Sequence, residues 1–181
     1  MNELKLISPN SAHEEEMKAY VAEFANHGET TINGSNGLNR FENYRDWLDH
    51  LKKNAKERVN GRFTSETFLV QRVVDGKIVG TVDVRHSLNE NEHHVGHVGG
   101  SVLPSERGKG YGTEMTRLAI LKAIEFGNKR VFMSCNSTNA ASKKMIENNG
   151  MVFEYKHFVS EDESWLVYSK DCTGNSRLCS E

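Results

Sequence analysis

The chain has 181 residues, a formal net charge of −2 and 36% hydrophobic residues, which suits one compact domain with one sizeable core. The near-neutral charge excludes a protein that neutralises a nucleic-acid backbone through a broad basic surface. No apolar stretch approaches the roughly 20 residues that a membrane span requires, and residues 1–16 reach four acidic residues before any long apolar run, unlike a secretory signal. We therefore expect a cytoplasmic chain that binds neither nucleic acid nor membrane.

The first half of the sequence predicts two helices between strands. Residues 3–7 alternate as in a strand, and Ser11 with Glu14 resembles a capping box that opens a helix. Residues 27–40 form a long polar stretch punctuated by glycine, which is either a solvated connector or a loop that faces a substrate. A second helical pattern follows, and then two β-branched runs joined by Asp75-Gly76, a hairpin signal, over residues 67–74 and 77–85.

The second half alternates strands and helices. Strands are predicted at residues 94–102, 131–134, 153–159 and 164–168, and helices at residues 113–126 and 139–149. The element order β-α-α-β-β-β-α-β-α-β-β predicts a mixed α/β (α+β) sandwich, with helices on the faces of a mixed sheet. We expect one domain over residues 1–170 and a polar, frayed tail over residues 171–181.

The cysteines predict no special site, whereas the glycines cluster in one segment. Cys135, Cys172 and Cys179 are odd in number and lack C-x-x-C spacing, so the sequence predicts neither a disulfide framework nor a zinc site. The chain has only 2 prolines but 15 glycines, and six of the glycines fall within residues 96–112. This segment must therefore need backbone freedom or close backbone approach.

The sequence of residues 102–113, VLPSERGKGYGT, joins a predicted strand to a predicted helix. Successive backbone N–H groups in such a loop, together with the N-terminus of the following helix, can cradle an anion such as a phosphate. Neither the P-loop pattern nor the dinucleotide pattern G-x-G-x-x-G fits the spacing of Gly108, Gly110 and Gly112. An ordinary tight turn between strand and helix is the alternative.

The same loop resembles a known family. Residues 107–112, RGKGYG, fit the [QR]-x-x-G-x-[GA] pattern of the GNAT superfamily of acyl-CoA-dependent N-acyltransferases, and Asn139 and residues 149–151 match later family positions. The resemblance implies a GNAT-like fold, with a central mixed sheet of six to seven strands flanked by about four helices. It also implies acetyl-CoA as cosubstrate and N-acetyltransferase activity.

The resemblance further implies which residues hold acetyl-CoA. Backbone N–H groups of the glycine loop would bind the pyrophosphate, where a side chain at Gly110 or Gly112 would crowd the phosphates. A strand that splays from its neighbour would pair with the pantetheine arm, and Asn139 would bond its amides. Lys109 or Lys143 could meet a phosphate or be a solvated charge. The implied cofactor-binding residues are Val102, Leu103, Arg107, Gly108, Lys109, Gly110, Tyr111, Gly112, Thr113 and Asn139.

Acetyl transfer needs the acceptor amine in its neutral form. A histidine side chain is suited to accept the proton that the ammonium form must lose. Four of the 8 histidines, His86, His93, His94 and His97, lie at or just before the strand predicted at residues 94–102. His97 lies closest to the expected thioester and is our predicted general base; a structural histidine is the alternative. Weaker candidates for the base are Glu92, Glu106 and Glu114.

One position departs from the family pattern. Many members carry a tyrosine that protonates the leaving thiolate seven residues after the helix-opening asparagine, and here that position is Ile146. Ser142, Tyr155 or water could substitute. The predicted function is direct transfer of an acetyl group from acetyl-CoA to the primary amine of a small molecule. The alternatives are a catalytically silent acyl-CoA sensor and a protein or peptide N-acetyltransferase; a homodimer is compatible with the sequence but not required by it.

Overall fold

The computed structural model describes residues 3–58 and 63–173. Within these residues the mixed α/β architecture, with the predicted number of strands and α-helices, is confirmed. In chain order the elements are β1 (Leu4–Ile7), α1 (Glu14–Asn26), α2 (Tyr44–Asn54), β2 (Ser65–Arg72), β3 (Ile78–Arg85), β4 (Val98–Val102), α3 (Tyr111–Glu125), β5 (Arg130–Asn136), α4 (Ala140–Asn148), β6 (Val152–Phe158) and β7 (Ser164–Asp171).

The strands form two sheets rather than one continuous sheet. The first has the order β1-β2-β3-β4 and the second the order β5-β7-β6, with all registered neighbours antiparallel. The described parts of β4 and β5 form no ladder with each other. The sheets meet instead at His97, whose backbone N–H donates to the Phe132 carbonyl at 2.6 Å. A cleft can therefore open between β4 and β5.

Helices cover both faces of the first sheet because the residues of β3 alternate in character. Val82 and Val84 pack in a core that includes residues of α3, whereas Thr81 and Asp83 lie on the face covered by α1 and α2. The face covered by α1 and α2 has its own hydrophobic core, in which Trp47 of α2 is fully buried. None of the helices in the described ranges has the length and apolar character needed to cross a membrane.

Two predicted boundaries differ at the start of an element. Asn10, rather than Ser11, caps the first turn: its Oδ1 accepts the Ala12 N–H at 2.9 Å, and His13 Nδ1 accepts the Asn10 N–H at 3.1 Å. The strand predicted at residues 94–102 begins only at Val98, because a 3₁₀ turn occupies Glu90–Val95. Sequence alternation misplaced this boundary because the histidines of the turn mimic strand residues.

The C-terminal end differs slightly from the predicted tail. Strand β7 continues through Asp171, and the backbone N–H of Cys172 donates to the Lys129 carbonyl at 2.8 Å. Asp171 therefore belongs to the sheet rather than to the predicted frayed tail, and Cys172 is hydrogen-bonded next to it. The rest of that predicted tail, from residue 174 onward and including Cys179, lies outside the described residues.

Candidate functional site

The cleft between β4 and β5 contains two adjoining cavities. The glycine-loop cavity, of about 650 Å³, lies where the loop of residues 104–112 meets α3 and α4. The histidine cavity, of about 510 Å³, lies further along the cleft and is lined by His94 and His157. The two cavities share the lining residues Asn33, Gly100, Asn139, Ser142 and Met145. They therefore form one elongated site whose walls are β4, β5 and α4.

Strand β4 offers hydrogen-bonding groups to this cleft on alternate residues. The Leu103 N–H donates to Val79 and the His97 carbonyl accepts from Arg85, so the odd-numbered residues of β4 bond to β3. The even-numbered residues Val98, Gly100 and Val102 then point their backbone groups away from β3. An extended ligand could pair with these groups as an added strand.

The glycine loop turns its backbone toward the start of α3. Gly108 and Gly110 have φ values of +76° and +83°, a conformation that L side chains rarely adopt. Gly110 is also the residue before α3, and no side chain from the described part of the chain caps this helix. Tyr111 and Thr113 in the first helical turn line the glycine-loop cavity. The N–H groups and positive dipole end of α3 therefore suit an anion there.

Gly112 lines the glycine-loop cavity and also lies where α3 approaches α4. A Cβ at Gly112 would lie 3.2 Å from Sδ of Met145 in α4 and 3.8 Å from Cγ2 of Val102. The nearest protein atoms to such a Cβ thus belong to α4 and β4. Gly112 therefore lies at a close contact between α3 and the Met145 side chain of α4, which would have to shift by a few tenths of an ångström to admit a Cβ.

A buried carboxylate anchors the glycine loop. Glu106 is 5% exposed and accepts hydrogen bonds from Arg72 at 2.9 Å, Lys77 at 2.7 Å and Lys109 at 2.8 Å. Burial opposes its ionisation, but the hydrogen bonds from Lys109 and Lys77 outweigh burial and lower the pKa of Glu106 to about 2. The ionised Glu106 therefore ties the loop to the β2–β3 hairpin.

A second ion pair ties the loop to residues 27–40. The Arg107 guanidinium binds Glu29 through two bonds, of 2.6 and 2.9 Å, and its Nε donates to the Val102 carbonyl at 3.1 Å. Bidentate pairing fixes the plane of the guanidinium. Arg107 thus braces the end of β4 against the loop that precedes α2.

The structure brings most of the predicted cofactor-binding residues together. Two of them, Leu103 and Lys109, do not line either cavity. Leu103 is 4% exposed and its N–H donates to β3, and the Lys109 ammonium binds Glu106. Lys144, which was not among the predicted residues, lines the glycine-loop cavity instead. The predicted residues that do line the cavity are Val102, Arg107, Gly108, Gly110, Tyr111, Gly112, Thr113 and Asn139.

Helix α4 supplies the remaining wall of the cleft. Oδ1 of Asn139 caps the helix by accepting the Ser142 N–H at 3.0 Å, and both residues line both cavities. Ile146, at the position where many relatives carry tyrosine, is 1% exposed and lines the histidine cavity. Of the substitutes considered for that tyrosine, Ser142 lines the cleft, whereas Tyr155 is 41% exposed and lines neither cavity.

His97, the predicted general base, lies at the junction of the sheets and does not line either cavity. Its side chain is 3% exposed, and its Nδ1 accepts the Phe132 N–H at 3.0 Å. Burial lowers the pKa of His97 to about 4, so the ring is neutral near pH 7. The lone pair that a base would use is therefore engaged with Phe132, and this position favours the alternative, structural role.

Residues 27–40 close the cleft from the side of α1 and α2. An ideal Cβ at Gly34 would lie 2.6 Å from the Gly100 Cα and would also meet the Gly99 carbonyl, so the loop packs directly on β4. Between this loop and α2 lies a third space of about 610 Å³, which we name the α1–α2 cavity after the loop that joins these two helices. It shares Asn33, Gly34 and Arg85 with the histidine cavity.

The floor of the α1–α2 cavity includes a buried carboxylate. Asp83 accepts hydrogen bonds from Thr67 at 3.1 Å and Asn36 at 3.4 Å, and its Oδ2 lies 4.0 Å from Nε of Arg85. Burial raises the pKa of Asp83. Asn36 is the one non-glycine residue with positive φ, at +52°, in the described ranges. Asparagine adopts this left-handed conformation more readily than most non-glycine residues, and the Asn36 amide reaches the Asp83 carboxyl group from it.

Two histidines from different elements face each other in the histidine cavity. The rings of His94, in the 3₁₀ turn, and His157, in β6, stack with centroids 4.2 Å apart and planes at 18°. His93 stacks on Phe132 at 3.9 Å and does not line the cavity. Within residues 3–58 and 63–173, no three His, Cys, Asp or Glu side chains are grouped to hold a metal ion.

Comparisons with known proteins agree with this geometry. A family model described as an acetyltransferase (GNAT) domain matches residues 8–152. A search of curated proteins finds no significant match. The chain resembles the solved structure of the microcin C7 self-immunity acetyltransferase MccE with acetyl-CoA and AMP, with a TM-score of 0.67, 17% identity and coverage of 94% of this chain and 93% of that one.

Two further solved structures share the fold at low sequence identity. The ribosomal L7/L12 alpha-N-protein acetyltransferase RimL, with coenzyme A, gives a TM-score of 0.68 at 13% identity and 93% coverage of both chains. The ribosomal-protein-S5-alanine acetyltransferase from Vibrio fischeri gives a TM-score of 0.65 at 21% identity, covering 94% of this chain and 92% of that one. Because the family model spans most of the sequence, the chain belongs to the GNAT acetyltransferase family.

Proposed function

We propose that the protein binds acetyl-CoA in the cleft between β4 and β5 and transfers its acetyl group to an amine. The observation that carries the proposal is the uncapped start of α3, which faces a cavity continuous with the free backbone edge of β4. An anion-binding helix end joined to an unpaired strand edge fits a ligand with phosphates at one end and amides along its arm. MccE and RimL, which share the fold, were solved with acetyl-CoA and with coenzyme A.

Each part of the cleft receives a task in this proposal. The backbone from Gly108 to Thr113 holds the pyrophosphate, and the outward groups of Gly100 and the outward N–H of Val102 pair with the pantetheine arm. When bound, acetyl-CoA supplies the activated acetyl group. A backbone N–H of β4 that points at the thioester carbonyl would stabilise the negative charge that develops on its oxygen.

The chemistry of Cys135 favours direct transfer over a covalent acyl-enzyme. Cys135 lines the histidine cavity, but it is only 4% exposed, and burial raises the pKa of its thiol. A nucleophilic cysteine needs a lowered pKa, because the thiolate is the reactive form. We therefore propose that the acceptor amine attacks the acetyl carbonyl itself.

We propose that the acceptor is a small molecule with a primary amine, bound in the α1–α2 cavity. The volume of this cavity, about 610 Å³, lies within the roughly 300–1,000 Å³ typical of small-molecule sites. The cavity adjoins the histidine cavity through Asn33 and Gly34. A peptide acceptor is the second candidate, because RimL and the S5-alanine acetyltransferase are named for ribosomal proteins.

An acceptor screen tests the proposal. CoA thiol release from acetyl-CoA is followed with a panel of small primary amines and a panel of peptides with free N-termini. We expect turnover with a small amine and little with peptides; the reverse preference would favour the peptide acceptor. Tight binding of acetyl-CoA without turnover on any amine would instead leave the silent sensor.

The cofactor assignment has its own variant and control. Gly110→Glu places a carboxylate at the start of α3 and should weaken acetyl-CoA binding by at least tenfold in calorimetry. Gly127→Glu is the matched control, because Gly127 also has a positive φ, +92°, has open space around an added Cβ, and does not line the cleft. Normal binding by Gly110→Glu would show that the pyrophosphate lies elsewhere.

A further inference from the structure

The histidine cavity contains few groups that could accept a proton. Among the described residues that line it, the ionisable side chains are Arg85, His94, Cys135 and His157, and none is a carboxylate. Arginine stays protonated at all accessible pH values, and the buried Cys135 thiol has a raised pKa. The two imidazoles are therefore the groups suited to proton transfer near neutral pH.

The two imidazoles hold each other in place. Their rings are stacked with centroids 4.2 Å apart and planes at 18°, so one ring can position the other. The other ionisable side chains that line the same cavity are Arg85 of β3 and Cys135 of β5.

His94 lies closer in the chain to the strand edge where the acetyl group would be bound. It is four residues before Val98, and the neighbouring Val95 carbonyl lies 3.4 Å from Oγ of Ser134 in β5. The turn that carries His94 is held in place by the stack of His93 on Phe132. His157 reaches the same space from β6, on the second sheet.

Building on the proposed function, we propose that His94 is the general base of acetyl transfer and that His157 positions it by stacking. The His94 imidazole accepts one proton from the ammonium of the acceptor. The freed lone pair on nitrogen forms the C–N bond as the C–S bond breaks. Sulfur keeps the electron pair of the broken C–S bond. The second proton lost by the nitrogen goes to sulfur through solvent, and His94 returns its proton to solvent.

Three phenylalanine variants separate the roles of the histidines, because each keeps an aromatic ring and removes an imidazole. His94→Phe should lower kcat/KM by about 10²-fold or more and remove the acidic limb of its pH profile. His157→Phe should retain activity within a few-fold, whereas His157→Ala should lose more because the stack is gone. His93→Phe is the control on the same turn and should behave as the wild type.

Two outcomes of these assays would overturn the assignment. Wild-type kcat/KM and pH profile in His94→Phe would remove His94 from proton transfer. A loss in His157→Phe as large as that in His94→Phe would show that His157 is not merely a stacking partner. Acetyl-CoA affinity, measured in parallel, should stay unchanged in all three phenylalanine variants.

A measurement without turnover separates this inference from the proposed function. Histidine ring signals are followed by NMR while acetyl-CoA is added, with the His93, His94 and His157 signals assigned from the variants. We expect the His94 and His157 signals to shift and the His93 signal to move much less. If no amine is acetylated, the proposed function fails, and this titration still decides whether His94 lies beside the bound acetyl-CoA. Unshifted His94 signals at saturating acetyl-CoA would overturn it.

Discussion

His97 and Phe132 join the two sheets through a reciprocal pair of hydrogen bonds. The His97 N–H donates to the Phe132 carbonyl at 2.6 Å, and the Phe132 N–H donates to Nδ1 of His97 at 3.0 Å. The His97 side chain thus replaces the backbone acceptor that a continuous sheet would supply. Because this junction lies at the closed end of the cleft, it sets where β4 and β5 begin to separate.

The first prediction concerns the stability of this junction against acid. The pKa of His97 in the folded protein, about 4, is below its ordinary value of 6.5, so the unfolded chain binds the proton more tightly. Stability from His97 is complete above about pH 6.5 and is lost as the pH falls toward 4, a loss on the order of 3 kcal/mol. Denaturant midpoints measured across this pH range check the prediction.

Two variants isolate the contribution of His97. His97→Asn keeps an oxygen that can accept the Phe132 N–H and removes the titration, so its stability should vary less with pH than that of the wild type. His97→Leu leaves the buried N–H without its acceptor and should cost about 1–3 kcal/mol at neutral pH. Identical pH dependence in the wild type and His97→Asn would contradict the prediction.

The second prediction concerns the contact between Gly34 and β4. Gly34→Ala should destabilise the protein by about 1–3 kcal/mol more than Gly28→Ala, because its Cβ would overlap the backbone of Gly99 and Gly100. The two glycines have almost the same φ, +74° and +73°, and an added Cβ at Gly28 meets nothing within 4 Å. Chemical denaturation measures both. Equal losses would mean that the loop does not pack on β4 as described.

Much of the fold could be predicted because local signals and burial agree. The Asp75-Gly76 turn and the β-branched runs on either side predicted the β2–β3 hairpin, and the glycine loop marked the start of α3. These features depend on residues close in sequence, whose conformational preferences act locally. The split between the two sheets depends on His97 and Phe132, which are distant in the chain, so sequence periodicity could not show it.

The candidate site was harder to predict where side chains meet across elements. His94 and His157 come together only because β6 is placed beside the 3₁₀ turn of residues 90–95. A single strand over residues 94–102 would place His97 nearest the thioester. Because residues 90–95 form a 3₁₀ turn instead, His94 lines the cavity and His97 does not. The Lys109 ammonium binds the buried Glu106 carboxylate, and the burial of a single carboxylate leaves no local sequence signal.

The third prediction concerns Glu106, which anchors the glycine loop. Glu106→Gln should destabilise the protein by about 1–3 kcal/mol, because three cationic side chains lose a buried, ionised acceptor. Glu29→Gln is the control: Glu29 pairs with Arg107 at the surface, where such pairs contribute about 0–1 kcal/mol. Thermal or chemical denaturation at neutral pH distinguishes them, and equal small losses would contradict the anchoring role.

The pH dependence of the same carboxylate has a definite sign. The folded pKa of Glu106, about 2, is below its ordinary value of 4.5, so its contribution is complete above about pH 4.5 and is lost as the pH falls toward 2. This window lies below that of His97. The stability difference between the wild type and Glu106→Gln should therefore shrink only below about pH 4.5, and a difference that already vanishes at pH 6 would contradict the prediction.

The last prediction separates two neighbouring lysines of α4. Lys144 lines the glycine-loop cavity, whereas Lys143 does not, and Nζ of Lys143 lies 4.0 Å from Oε1 of Glu147. Lys144→Ala should raise the Kd for acetyl-CoA by about three- to tenfold through loss of attraction to its phosphates, and Lys143→Ala should change it little. The effect should diminish at high salt, where exposed charges are screened. A larger effect of Lys143→Ala in calorimetry would place the phosphates on the other side of α4.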